Sequence, residues 1–255
     1  MEAAYQTHIG CVRALNEDTG AVVRLDNGYL IAIVADGMGG HQAGDVASLM
    51  AVDIIKMNIS TLPDDLKPNE AIDLLDQAIL KANDEIYRYA MGHDDCKGMG
   101  TTIAVCILSR DWMVTGHIGD SRIYRLSMGK LTQLTDDHSL VNELLKNGQI
   151  SEEEAKKHPQ KNVLTRALGT DLDVEVDLKA FEWEPQDQFL ICTDGLSNKI
   201  SSQQILNTLS ASQTPETAVT TLIKLALDAG GEDNITAVVI NTLSSKEDDG
   251  SGVPE

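Results

Sequence analysis

Four strand-like runs in this 255-residue chain each meet an aspartate, and that pattern limits the available folds more than any other feature. YLIAIV runs into Asp36-Gly37, VTGHIG into Asp120, and QFLICT into Asp194-Gly195, while Asp233-Asn234 immediately precedes ITAVVI. A carboxylate adjoining a buried strand costs several kcal/mol of desolvation unless it is paired or bound to a cation. Any one of them alone reads as a turn aspartate, since Asp-Gly is a common turn pair. Four at comparable positions predict strands lying side by side, with the carboxylates converging at one sheet edge. Few basic residues stand near them in sequence, so mutual repulsion calls for cations. An all-oxygen donor set suits magnesium or manganese, whereas zinc usually brings histidine or cysteine. The glycines beside these aspartates allow close backbone approach, so a carbonyl can serve as a further ligand.

The rest of the chain predicts an α+β layered fold. Helical spacing marks residues 43–60 (Ala47, Met50, Ala51, Ile54, Ile55), 69–91 (Ile72, Leu75, Ile79, Ala82, Ile86) and about 216–229, with Pro68-Asn69 opening the second. Strand character falls at 5–11, 20–25, 29–35, 101–108, 112–118, 121–126, 188–193 and 235–241. Strands cluster and helices pair, which points to largely antiparallel sheets rather than βαβ alternation. Residues 136–160 interrupt this pattern with a polar, helix-prone excursion of the kind that carries function. The end from Ser244 is acidic and rich in Gly, Ser and Pro, and reads as a flexible tail over 244–255.

Forty acidic residues against 20 basic give a formal charge of −20, which disfavours nucleic acid and anionic membranes as partners. Solubility is the first explanation of that excess and carboxylates acting as cation ligands the second, and charge alone does not separate the two. The longest apolar stretch, Tyr29 to Ala35, falls far short of the roughly 20 residues of a membrane span. Cys11, Cys96, Cys106 and Cys192 form no CxxC pair, and no basic and apolar leader opens the chain. A reducing compartment, the cytoplasm, is therefore the expected location. No cysteine sits in a CxxxxxR loop, which counts against a cysteine nucleophile. Arg13, followed by Asn16-Glu17-Asp18, supplies a guanidinium, the natural partner of a phosphate beside a carboxylate–metal centre.

Taken in order, RALNED (13–18), VADGMGGHQAGDVAS (34–48), GMGTT (98–102), HIGDSRIY (117–124), LTDDHS (134–139), LTRALG (164–169), CTDGL (192–196) and GEDNIT (231–236) resemble the successive signatures of metal-dependent type-2C (PPM) serine/threonine phosphatases of the bacterial branch. The resemblance covers about residues 5–241. It implies an α-β-β-α sandwich, a single catalytic domain over 1–243, and a mobile flap over about 136–164 that tunes the choice of protein substrate. It further implies that Asp36 bridges two Mn2+ or Mg2+ ions, one completed by Asp194 and Asp233. The other would take the Gly37 carbonyl and waters held by Glu17 and Asp18. A third ion would fall between Asp120 and Asp194, and Arg13 would grip the substrate phosphate. Two cations about 3.5–4 Å apart can share a water and make it a hydroxide near neutral pH, which would attack phosphorus directly. Many eukaryotic members place a histidine directly after the Asp-Gly pair. Here that position is Met38, a loop-packing side chain, and His41 follows three residues on. His41 is either the acid or substrate contact, or a residue that orients its own loop or helix. His8, His117 and His138 show no ligand spacing and read as packing or surface residues. The expected activity is hydrolysis of phosphoserine and phosphothreonine in substrates of a Ser/Thr kinase by a monomeric enzyme. A pseudophosphatase, the same fold used as a binding module, is the alternative.

Overall fold

The computed structural model describes residues 1–39 and 43–242, so His41 and the tail 244–255 lie outside the described residues. Strands β1 (Glu2–His8), β2 (Asp18–Arg24) and β3 (Leu30–Met38) lead into helices α1 (Gly44–Ile59) and α2 (Pro68–Gly92). Next come β4 (Gly100–Thr101), β5 (Ile103–Leu108), β6 (Trp112–Ile118), β7 (Arg122–Ser127) and β8 (Lys130–Gln133). The short helices α3 (Leu140–Lys146) and α4 (Glu152–Lys157) precede β9 (Asp177–Glu182), β10 (Gln188–Cys192) and the turn α5 (Asp194–Ser197). Helices α6 (Ser202–Ala211) and α7 (Pro215–Asp228) and strand β11 (Ile235–Asn241) complete the fold.

The strands form two antiparallel sheets, one ordered β1-β11-β10-β7-β8 and the other β2-β3-β5-β6-β9, with β4 paired to β3. The period-2 alternation of a strand explains the layering. Along β3, Ile31, Ile33 and Ala35 face α1 and α2, where Ala47, Ala51, Ile55, Leu75 and Ile79 cover them. Leu30, Ala32 and Val34 point the other way, onto Ile123, Phe189, Ile191, Val238 and Ile240 of the opposite sheet. That second sheet turns Leu190, Cys192, Ala237 and Val239 outward, under α6 and α7. Strands buried on both faces read as unbroken apolar runs, as YLIAIV and ITAVVI do. The result is the expected α-β-β-α sandwich.

Several bounds differ from the sequence reading. β3 continues through Asp36, Gly37 and Met38, because Gly37 and Met38 pair with Thr101 and Gly100 of β4. The run 101–108 is accordingly two strands. β8, β9 and α6 were not expected: KLTQ is short and largely exposed and DLKAFE buries no residue, so neither shows a clean alternation. The excursion at 136–160 contains α3 and α4, neither of which buries a residue. Its ends are pinned together, with a Ser139–Leu164 bridge and Leu140 N–H donating to Val163 O at 2.9 Å.

Candidate active site

Parity along β3 decides where the site forms. Asp36 follows Val34 by two residues, so it points into the gap between the sheets at the end where the apolar filling stops. Asp18 stands directly opposite Asp36 in the β2–β3 register and shares that face. The loop Gly119–Ser121, between β6 of one sheet and β7 of the other, carries Asp120 across the same end. From the other sheet, Asp194 opens α5 after β10, and Asp233 precedes β11. The carboxylates meet at the end of the inter-sheet gap, so the single sheet edge inferred from sequence needs correction. Each sheet alone supplies only part of the set.

A cavity of about 320 Å3 opens there, lined by Arg13, Glu17, Asp36, Gly37, Met38, Gly39, Thr102, Asp120, Asn162, Leu164, Asp194, Asp233 and Asn234. Asp18 lies just behind it and is buried. Burial, with Asp194 and Asp233 close by, pushes the Asp18 carboxyl up to about 7, against the pull of Thr236 and Thr193. Asp120 is likewise raised to about 7, by burial first and then by Asp194. Enclosure and the charges of Asp18 and Asp194 raise Asp36 well above the carboxylate range, and enclosure and Asp233 raise Asp194. The Thr193 hydroxyl donates to Asp18 Oδ2 at 2.9 Å, while Oδ1 of the same carboxylate is buried without any partner. An orphaned carboxylate oxygen beside five further carboxylates, in a donor set made only of oxygen, fits hard divalent cations.

The backbone around these groups is held closely. Asp36 N–H donates to Thr102 Oγ1 at 3.0 Å, and Thr101 Oγ1–H donates to Asp36 O at 2.9 Å. Gly37 passes between Glu17 and the start of α1: its N–H donates to Glu17 O at 3.1 Å, and a Cβ there would sit 2.0 Å from Gly44 O. Asn234 fastens the N-terminal loop, donating to Ile9 O and Leu15 O and accepting from Glu17 N–H. Arg13, half-exposed, donates to Asp233 Oδ2 at 2.8 Å. Met38 lies against Gly100, in keeping with a packing role. Among the described residues lining the cavity there is no histidine.

Sequence reasoning missed the hydroxyls of Thr102, Ser121 and Thr193 and the amide of Asn234, which show no pattern before the strands are paired. It also set aside His117 and His138. Both are buried, and with Asp177 they bring one ligand-type atom each within 4.8 Å of one another. Protonation argues against an ion in that group. Gly119 N–H donates to His138 Nδ1 at 3.1 Å, so the proton of the neutral ring is on Nε2, which faces Asp177 Oδ2 at 3.2 Å. The carboxylate cavity, and not this trio, fits the cation chemistry.

Residues 10–228 match the family model described as protein phosphatase 2C. Serine/threonine phosphatase stp of Listeria monocytogenes is 41% identical over 252 residues, which span 98% of this chain and all of that protein. The structure of serine/threonine phosphatase Stp1 from Staphylococcus aureus superposes with a TM-score of 0.89 at 34% identity, covering 95% of both chains. The catalytic domain of the serine/threonine phosphatase PstP, solved in complex with two manganese ions, superposes with a TM-score of 0.82 at 36% identity, covering 95% of this chain and 98% of that one. The chain belongs to the protein phosphatase 2C family, the metal-dependent phosphoprotein phosphatases, and is a protein serine/threonine phosphatase.

Proposed function

We propose that the cavity at the end of the sandwich is the catalytic centre, with Asp36, Asp194, Asp233 and the Gly37 carbonyl holding two Mn2+ or Mg2+ ions. Glu17 and Asp18 would complete this shell, and Asp120 with Asp194 would hold a third ion. The observation that carries the reading is the cluster of mutually repelling carboxylates, half-buried around the buried Asp18, whose Oδ1 is left without a partner. Bound cations would neutralise that repulsion, act as Lewis acids toward the phosphoryl oxygens and lower the pKa of water held there. The chain's own groups do the rest. Arg13 spends one of its five donors on Asp233, leaving the others for a phosphoryl group entering the cavity. Thr101, Thr102 and Thr193 hold the backbone of Asp36 and the carboxylate of Asp18 so that neither has to reorganise during turnover. Asn162 and Leu164, from the far end of the 136–164 flap, form one wall, where the residues flanking the phosphoserine or phosphothreonine would lie.

The substrates are then proteins phosphorylated by a Ser/Thr kinase, and the enzyme works as a cytoplasmic monomer with 1–243 as its catalytic domain. No helix among the described residues is long and apolar enough to cross a membrane. Phosphate release from a phosphothreonine peptide, measured with manganese, with magnesium and with a chelator, tests the reading. Release that needs the metal and disappears in Asp194→Ala is expected. Metal binding by folded protein without any release would favour a pseudophosphatase, and partner capture would follow.

A further inference from the structure

The two buried histidines bracket Asp120. His138 holds Gly119 by both of its backbone groups: its own N–H donates to Gly119 O at 2.8 Å, and its Nδ1 accepts from Gly119 N–H at 3.1 Å. Gly119 makes both bonds at a φ of +104°, a conformation that side-chain-bearing residues rarely adopt. On the other side of Asp120, His117 donates from Nε2 to Ser121 O at 2.7 Å, since a carbonyl can only accept. The rings are tilted by 45° to one another with centroids 4.9 Å apart. Asp177, the cross-strand partner of His117, faces His138 Nε2 and is held in turn by Arg166 at 2.9 Å.

We propose that His117 and His138 are positioning residues for Asp120: by fixing Gly119 and Ser121 they set the direction in which the Asp120 carboxylate enters the catalytic cavity. The inference rests on the reading of that cavity as the catalytic centre. Neither ring lines the cavity, so both act through the turn. Their sequence positions explain the arrangement. His117 lies in β6, three residues before Asp120, and His138 lies at the base of the flap, where Thr165 N–H donates to its carbonyl at 2.9 Å. The chain entering the flap is therefore tied directly to the Asp120 turn.

The two histidines use opposite ring nitrogens, which gives a crossed test. The asparagine amide reaches the place of Nδ1, and the glutamine amide reaches the place of Nε2. His138→Asn should recover most of the turnover that His138→Gln loses, and at position 117 glutamine should do better than asparagine. The losing variants should lower kcat by about tenfold, the effect of one buried hydrogen bond, with the phosphopeptide KM held within about twofold. Combined with Asp120→Asn, they should cause no further loss. Thermal melts identify any variant that fails to fold, and the pair at the other position then decides. Losses that multiply with Asp120→Asn, no loss at either position, or no difference between asparagine and glutamine would overturn the proposal. So would stoichiometric Zn2+ held by the Asp36→Asn, Asp194→Asn double variant and released by His138→Gln, which would make the trio a metal site. The manganese stoichiometry of Asp120→Asn, measured in parallel, tests the third ion separately. An unchanged count removes that ion and leaves the positioning role to the mutant combination.

Discussion

At the scale of single residues, the site crowds carboxylates whose charges oppose one another. Asp18 is buried beside Asp194 and Asp233 with one oxygen unbonded. Asparagine can accept the same Thr193 hydroxyl bond without the charge. In chelator at pH 8, Asp18→Asn should therefore stabilise the protein by about 1–3 kcal/mol, raising its Tm by several degrees. With manganese the order should reverse, and a variant less stable than the parent in both conditions would refute the account. His117 gives a prediction of opposite pH sign. Burial, helped by His138, lowers its pKa to about 4, so the folded ring stays neutral where the unfolded one, at about 6.5, takes a proton. Its contribution is intact above 6.5 and is lost as pH falls toward 4. Between pH 7 and pH 5 that loss is about 2 kcal/mol. Urea unfolding at both pH values, in chelator, should show His117→Gln losing less stability than the parent by that amount; equal acid losses would refute the assignment.

Elements differ sharply in what they contribute. β3 and the start of α1 touch through Gly37 and Gly44, with no room for a side chain. Gly37→Ala should cost about 3 kcal/mol or more, because backbone and not a flexible side chain stands in the way. The midpoint of urea unfolding reports it, and a shift within error would mean that the two elements can separate. The flap lies at the other extreme. Neither α3 nor α4 buries a residue, and the Ser139–Leu164 bridge already closes its base. Replacing 140–163 by a two-residue Asn-Gly turn should leave the Tm within a few degrees and hydrolysis of p-nitrophenyl phosphate largely intact. The KM for phosphopeptides should rise. Loss of p-nitrophenyl phosphate hydrolysis by a folded excision variant would show that the flap itself completes the site.

For the whole molecule, a formal charge of −20 is part of the thermodynamics as well as of solubility. The carboxylate cluster joins both sheets, so a cation bound there stabilises the sandwich as a unit. At a manganese concentration about 100 times Kd the gain is about 2.7 kcal/mol, or roughly 5–10 °C in Tm for a chain of this size. Calorimetry in manganese, in chelator and in sodium chloride of equal ionic strength separates site binding from screening. A manganese effect no larger than that of sodium chloride would sink the metal cluster.

Much of this molecule can be read from the order of its residues. Apolar runs buried on both faces, helices at 3.6-residue spacing and aspartates beside those runs are local properties, and local properties survive in a linear string. Asp36, Asp120, Asp194 and Asp233, which line the cavity, stood out for that reason, as did α1, α2, α7 and the layered, antiparallel α+β class, while the sandwich itself came from the family resemblance. Tertiary structure alone decided that the carboxylates meet between two sheets, because strand pairing joins residues as distant as Thr193 and Asp18. It also decided what His117 and His138 do. Their bonds go to backbone groups around Asp120, and a backbone carbonyl or N–H carries no letter in a sequence. Such partners exist only once the chain has brought them within hydrogen-bond reach.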